Sequence, residues 1–273
     1  MTTRMFDLNI ERVLEHWTLA HAIREIIANA LDEQALTDTR EPAIYRDNQE
    51  RWHIRDWGRG LNYQHLTQNE NKEKLRNPRK VIGKFGVGLK DALATFHRHE
   101  VEVTLVSIGS EITLIQANKH GFADISTLHA SIDDSASGID SGTDVILAGV
   151  SDEDIETAKS YFLCYSQDRV LEETSVGTVL QRTDNGARIY VNGLRVAEEP
   201  DFLFSYNITS TSAALRKALN RERTNVGRTA YTDLIKNILR ACQSPEVADL
   251  LTRDLAAFQS GTMRAFPNWW SVM

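Results

Sequence analysis

The segment Gly83-Lys84-Phe85-Gly86-Val87-Gly88-Leu89-Lys90 constrains this chain more than any other. Its three glycines are followed at once by an amphipathic helical pattern, with Leu89, Ala92, Leu93 and Phe96 on one face. Glycines in that place leave several backbone N–H groups facing outward at the positive end of a helix, where an anion binds well. The segment is not a Walker loop, because no Gly-Lys-Ser/Thr closes it. Nor is it a dinucleotide fingerprint, since the spacing is Gly-x-x-Gly-x-Gly and no clean apolar strand precedes it. Taken alone, a purely structural glycine turn reads the same way. The stretch before it is basic, with Lys72, Lys74, Arg76, Arg79, Lys80, Lys84 and Lys90 against Glu70 and Glu73. The whole chain carries a formal net charge of −7. A local basic segment in an acidic protein suits a small anionic ligand, and the net charge argues against direct binding of nucleic acid.

Two further segments precede the glycines. In Glu25-Ile-Ile-Ala-Asn29 a carboxylate and an amide lie one helical turn apart, and Asp32 follows. At helical spacing these three fall within about 60° of each other, away from the apolar stripe of Leu19, Ile23, Ile26, Ile27, Ala30 and Leu31. Such a face supplies a general base in Glu25 and a hard oxygen donor for Mg²⁺ in Asn29. A solvated polar face has the same pattern. Asp56-Trp57-Gly58-Arg59-Gly60 closes a strand pattern with a carboxylate, and its glycines allow close approach of the backbone to a flat ring. An ordinary β-turn opening on Asp also fits.

The remaining pattern predicts an α+β chain. Leu8–Leu36 reads as largely helical, Ala43–Asp47 and Arg51–Asp56 as strands, and Leu61–Val81 as a long polar connection. Gly88–His99 reads as a helix, Val101–Ile108 and Glu111–Ala117 as a hairpin through Gly109-Ser110, Thr143–Ala148 as a strand and Ser151–Tyr165 as a helix. Gly177–Arg182 and Arg188–Val191 read as a hairpin turning at Asp184-Asn185-Gly186, and a further turn follows at Asn192-Gly193. From Ala213 onward the pattern is mostly helical. The aromatic tail at Phe266–Met273 implies docking back or further domains beyond this C-terminus. No apolar run approaches the ~18–20 residues of a membrane span. With Cys164 and Cys242 alone there is no disulfide framework, so a cytoplasmic setting is expected. His97 and His99, two apart, do not share a helical face as metal ligands would.

Together the segments resemble the Bergerat-fold ATPases of the GHKL superfamily, which includes gyrase B-type topoisomerases, the ninety-kilodalton heat-shock chaperone, histidine kinases, MutL and MORC proteins. Ile82-Gly-Lys-Phe-Gly-Val-Gly-Leu is most similar to the chaperone's glycine box, and Ser141-Gly142-Thr143-Asp-Val-Ile-Leu resembles the superfamily's last motif. The resemblance spans 20–150. It implies a two-layer sandwich, a mixed and mostly antiparallel sheet with helices on one face, over 1–170. A smaller, mainly helical module over 171–273 would act as a transducer with a hairpin. It further implies ATP and Mg²⁺ as cofactors, with Glu25 as catalytic base and Asn29 as metal ligand. Asp56, Gly58, Gly60 and Thr143 would hold the adenine, beside Asp32. Gly83, Lys84, Phe85, Gly86, Val87, Gly88 and Lys90 would surround the phosphates, with Leu61–Val81 as a mobile lid. Leu219-Asn-Arg221-Glu-Arg223 resembles, more loosely, a segment that reaches the γ-phosphate, where Arg221 or Arg223 would stabilise developing charge. A base at Glu25 favours hydrolysis over histidine-kinase phosphotransfer. A nucleotide-dependent homodimer, a protein partner and an ATP-binding sensor without turnover remain compatible with the same residues.

Overall fold

A row of apolar residues runs straight across the sheet of the first half of the chain: Ile54, Val145, Leu105, Ile112 and Ile132 are cross-strand partners in turn, and all are buried. Side chains alternate between faces along a strand, so the neighbouring row, His53, Ile146, Thr104, Thr113 and Ser131, lies on the other face and is mostly polar. Such a sheet has to cover one face with helices. The computed structural model that shows this describes residues 3–10, 14–62, 64–67, 72–77, 81–83, 88–120, 122, 124–134, 138–219 and 226–260. The chain is α+β and divides into two units, Met1–Lys159 and Ser160–Met273.

In the first unit the order is β1 (Thr3–Asp7), α1 (Leu19–Thr37), β2 (Ala43–Arg46), β3 (Trp52–Arg55), α2 (Gln64–Thr67), α3 (Lys72–Arg76) and α4 (Gly88–Arg98). Then come β4 (Glu102–Ser107), β5 (Ser110–Asn118), β6 (Ser126–Asp133), β7 (Thr143–Ala148) and α5 (Asp152–Lys159). The sheet runs β1-β6-β5-β4-β7-β3-β2, and every neighbouring pair is antiparallel rather than mixed. Helix α1 packs against α4, α5 and β3 through Ile23, Ile26, Ile27 and Ala30.

Helix α1 starts at Leu19, not near Leu8 as the periodicity predicts. Thr18 forms a capping box with His21, which satisfies the first free N–H groups and fixes the start. Leu8 instead hydrogen-bonds to the Leu128 carbonyl as a continuation of the β1 edge. The guanidinium of Arg98, at the end of α4, donates to the carbonyls of Leu14 and Trp17 and holds the segment before α1. The helix expected over Ser151–Tyr165 stops at Lys159, although its start is as read: Ser151 and Asp154 cap each other.

The second unit contains β8 (Val170–Thr174), β9 (Gly177–Gln181), β10 (Ala187–Val191), β11 (Leu194–Glu199) and β12 (Phe204–Ile208), then α6 (Ala213–Ala218), α7 (Thr232–Ala241) and α8 (Pro245–Gln259). Its sheet order is β11-β10-β12-β9-β8, with β10 and β12 parallel. The unit is therefore not mainly helical, and β9 and β10 do not form the predicted hairpin. The turn at Asp184-Asn185-Gly186 is made, but β12 lies between the two strands and pairs with both. Burial explains the insertion: Phe204, Tyr206 and Ile208 fill the core with Val179, Ile189, Leu215, Tyr231, Ile235 and Ile238. The Asn192-Gly193 turn does join neighbours, β10 and β11, through two residues of positive φ.

Candidate functional site

Between the helices and the sheet of the first unit lies a cavity of about 140 Å³. A single water needs only ~10–15 Å³, so this space is large enough for a ligand group. Ile54, Leu105 and Val145 from the apolar row form its floor, and Ile26, Ala30 and Leu89 its helical wall. Asn29, Glu33, Asp56, Gly60, Leu61, His65, Lys74 and Thr143 supply the rest of the lining. An apolar slot with a few convergent polar groups is the usual form of a small-molecule site.

Asp56 directly follows β3 and is mostly buried. Its Oδ1 accepts from the Gly58 N–H at 2.9 Å, and the backbone of Thr143 also hydrogen-bonds to the carboxyl. Burial, reinforced by the charge of Glu33, outweighs the help of Gly58 and Arg55 and pushes the Asp56 carboxyl up to about 6. The carboxylate is thus costly to ionise even with these donors, which suits it to receive another from a ligand.

A backbone clasp holds this aspartate. The Asp56 N–H donates to the Thr143 carbonyl and the Gly142 N–H to the Gly58 carbonyl, each at 2.9 Å. Gly142 has φ +70, and a Cβ there would stand 2.1 Å from the Asp56 carbonyl oxygen, so no other residue fits. Gly60, at φ +82, passes close to Ser107, where a Cβ would stand 2.8 Å from its Oγ; that Oγ accepts from the Leu61 N–H at 2.7 Å and donates to the Gly142 carbonyl. Ser107 is completely buried, and nothing in the sequence pattern marks it.

On α1 the polar face is buried. Glu25 is 2% exposed and lies beside Arg24, which is fully buried and reaches Glu25 Oε1 through Nη2 at 2.9 Å. Glu25 Oε2 faces the start of α4, where a Cβ on Gly88 would come within 2.4 Å of it. Asn29, one turn on, lines the cavity, and its Oδ1 accepts from Lys74 Nζ at 3.1 Å. Asp32 is 1% exposed and points elsewhere: it accepts from the N–H groups of Ile82 and Gly83 and pairs with Lys74 at 2.7 Å. Asp32 therefore anchors the beginning of the glycine segment and is absent from the cavity lining.

Glu33 takes a place no sequence motif assigned. Arg59 grips it with a backbone N–H and two guanidinium nitrogens, and extends a third to Glu73 on α3. Burial opposes its charge, but the hydrogen bonds and charge of Arg59, helped by Lys74, hold the Glu33 carboxyl below its usual range. Its signal was available, since Glu33 follows Asn29 by four residues on the same face.

The structure thus brings Asn29, Asp56, Gly60 and Thr143 to one cavity, and Glu25, Gly58 and Gly88 are outside its lining. Lys90 is half-buried on α4 and outside the lining. Lys84, Phe85, Gly86, Val87, Arg221 and Arg223 lie outside the described residues. Trp57 does not reach the cavity; its ring is covered by Arg40, with the guanidinium carbon 3.6 Å from the ring centre. His97 and His99 are exposed and engage Gln116 and Arg98. Among the described residues no cluster of three or more His, Cys, Asp or Glu is arranged to hold a metal, and no helix is long and apolar enough to cross a membrane.

Comparison with known proteins places relatives in Mycoplasma pneumoniae. An uncharacterized protein of that organism is 38% identical over 242 residues, covering 87% of this chain and 97% of its own length. A second uncharacterized protein of the same organism is 36% identical over 102 residues, 37% of this chain and 29% of its own. Residues 153–245 match the family described as the Mycoplasma pneumoniae MPN635 N-terminal domain.

Proposed function

We propose that this chain, which belongs to one family with the 38%-identical Mycoplasma pneumoniae protein, is a Mg²⁺-dependent ATPase whose first unit has the Bergerat fold of the GHKL superfamily. The observation that carries the reading is the convergence of three separate motifs, Asn29, Asp56 with Gly60, and Thr143, on one apolar cavity.

The residues fit the ligand. Asp56 lines the cavity with a carboxylate that can accept from an adenine amino group, and Gly60 leaves the rim open to a flat ring between Ile54, Leu105 and Val145. Asn29 Oδ1 already faces a cation, the Lys74 ammonium, so its donor chemistry suits Mg²⁺. That ion is usually held by one or two carboxylates together with substrate phosphates, and here the Asn29 amide oxygen would take the place of a carboxylate. Bound there, it would offset charge on the phosphates.

The chain's own residues do the remainder. Asp56 and the apolar walls fix the base, and Asn29 orients the metal end. Glu25, paired with Arg24, takes a proton from the attacking water. General base help of this kind contributes about 10²–10⁴-fold. ATP-dependent dimerisation, with a protein partner as client of the cycle, belongs to the same reading.

A specific observation favours a second reading. Glu25 is buried with its Oε1 held by Arg24, and that arrangement suits a module that binds ATP as a sensor and does not turn it over. One experiment separates the two. Binding of a non-hydrolysable ATP analogue, phosphate release and size-exclusion profile are measured for the wild type and Glu25→Ala. Hydrolysis predicts retained binding with turnover lost in the variant, and the sensor predicts binding with no Glu25-dependent release. Absence of analogue binding in both proteins refutes both readings.

A further inference from the structure

The position of Lys74 has a consequence for how the cavity is controlled. Lys74 lies on α3, yet its ammonium sits on α1, 2.7 Å from Asp32 Oδ2 and 3.1 Å from Asn29 Oδ1. Its side chain is only 12% exposed. An ammonium is a compact point charge that satisfies oxygen acceptors much as a small metal ion does. Its neighbour Glu73 takes both of its carboxylate oxygens to Arg59, at 3.1 and 2.9 Å, and Arg59 is itself locked to Glu33 on α1. Two adjacent residues of opposite charge thus fasten α3 over the cavity at two points, Lys74 on the Asn29–Asp32 face and Glu73 on Arg59. Of these, Lys74 alone occupies an oxygen that the proposed chemistry needs.

We propose that Lys74 is a built-in substitute cation: in the nucleotide-free protein it occupies the metal-accepting oxygen of Asn29 and docks α3, and it leaves that oxygen when a Mg²⁺–nucleotide complex binds. This rests on the reading of Asn29 as the metal ligand. A divalent ion and an ammonium repel each other at this separation, so docking of α3 through Asn29 and metal binding exclude one another. Asp32 keeps two backbone N–H donors after Lys74 departs, so its buried carboxylate is not stranded. Lys74 is on this account a positioning residue that couples the metal to α3.

The test compares binding of a fluorescent, non-hydrolysable ATP analogue, with Mg²⁺ and with EDTA, in the wild type, Lys74→Gln and Lys74→Arg. If the undocked form is populated at about a tenth or less, removing the substitute cation tightens Mg²⁺–analogue binding about tenfold or more. The EDTA value changes far less, and Lys74→Arg, which keeps a cation, stays near the wild type. Weaker binding of Lys74→Gln in both conditions makes Lys74 a phosphate ligand instead and overturns the proposal, as does unchanged binding. A second measurement uses the wild type alone, in case the glutamine variant does not fold. Amide exchange over 72–77 should rise on adding Mg²⁺–analogue and not on adding the analogue in EDTA, and equal protection in the two overturns the proposal. Wild type that binds no analogue refutes the ATPase reading and this one with it, whereas normal wild-type binding with no Lys74 effect refutes this one only.

Discussion

Gly88→Ala asks whether Glu25 acts as a base from the position the fold gives it. The added Cβ would stand 2.4 Å from Glu25 Oε2 and 3.3 Å from its carboxyl carbon. Unbonded heavy atoms settle at roughly 3.5 Å, so the carboxylate has to retreat by about 1 Å. It cannot do so freely, because Oε1 is held by the buried Arg24 at 2.9 Å. A displacement of about 1 Å in a reacting group costs on the order of 10²-fold in rate. Stability should move little: overpacking costs about 1–3 kcal/mol, and replacing glycine by alanine at a helical position returns up to about 1 kcal/mol. The expected result is a melting temperature lowered by no more than a few degrees, analogue binding unchanged within about threefold, and steady-state phosphate release reduced about a hundredfold. Gly138→Ala is the control, since nothing lies within 4 Å of a Cβ at that position. Phosphate release from Gly88→Ala equal to that of the control would refute the assignment of Glu25.

Other sites give independent checks. The Asp56 carboxyl is raised to about 6 from 3.8, so the folded protein binds more protons than the unfolded chain in that window, and stability falls as pH rises through it. Asp56→Asn should remove this slope in urea titrations, and should also lower analogue affinity and abolish its decline as pH falls through about 6. Gly142→Ala adds left-handed strain of about 1–3 kcal/mol to an overlap with the Asp56 backbone, so a lower melting temperature and loss of analogue binding should appear together. Tyr231→Phe removes the hydroxyl that donates to the buried Glu199 in the second unit, which costs about 1–3 kcal/mol by denaturant titration and leaves analogue binding unchanged.

Local chemistry was readable and long-range pairing was not. Helix α4 and strand β7 lie within a residue of where periodicity puts them, because each has a continuous apolar stripe and a glycine at its start. Strands β1, β6, β8, β11 and β12 carry no comparable signal; β1 and β8, for example, are sheet edges without a fully buried residue. The false hairpin has a physical cause: the Asp184-Asn185-Gly186 turn is a local preference, whereas the partner of β9 is decided by burying Phe204 and Tyr206 beneath α7. The same division holds in the cavity. Asn29 and Asp56 with its glycines could be named from the residues, and Thr143 from the resemblance of its segment to a family motif. Lys74 could not be distinguished from the other basic residues before the glycines, because its role depends on a partner 45 positions away.

The clasp also explains why motifs so far apart in sequence have to be kept together. Asp56 is fixed by Gly58 on its own strand end and by Thr143 across the sheet, Gly142 by Gly58, and Leu61 by Ser107, which in turn holds Gly142. Each link uses a backbone group, so none depends on a particular exposed side chain, but each depends on a glycine or a small residue that lets the chains touch. The carboxylate of Asp56 is therefore positioned by the sheet register of β3 against β7 and not by its neighbours alone. A one-residue slip of β7 would turn Val145 out of the floor and carry Thr143 away from the rim. The residues that match a described family, 153–245, begin after all of these. The cavity, with its lining between Ile26 and Val145, is consequently a feature that the matched segment neither contains nor describes, and its chemistry has to be tested on the first unit's own residues.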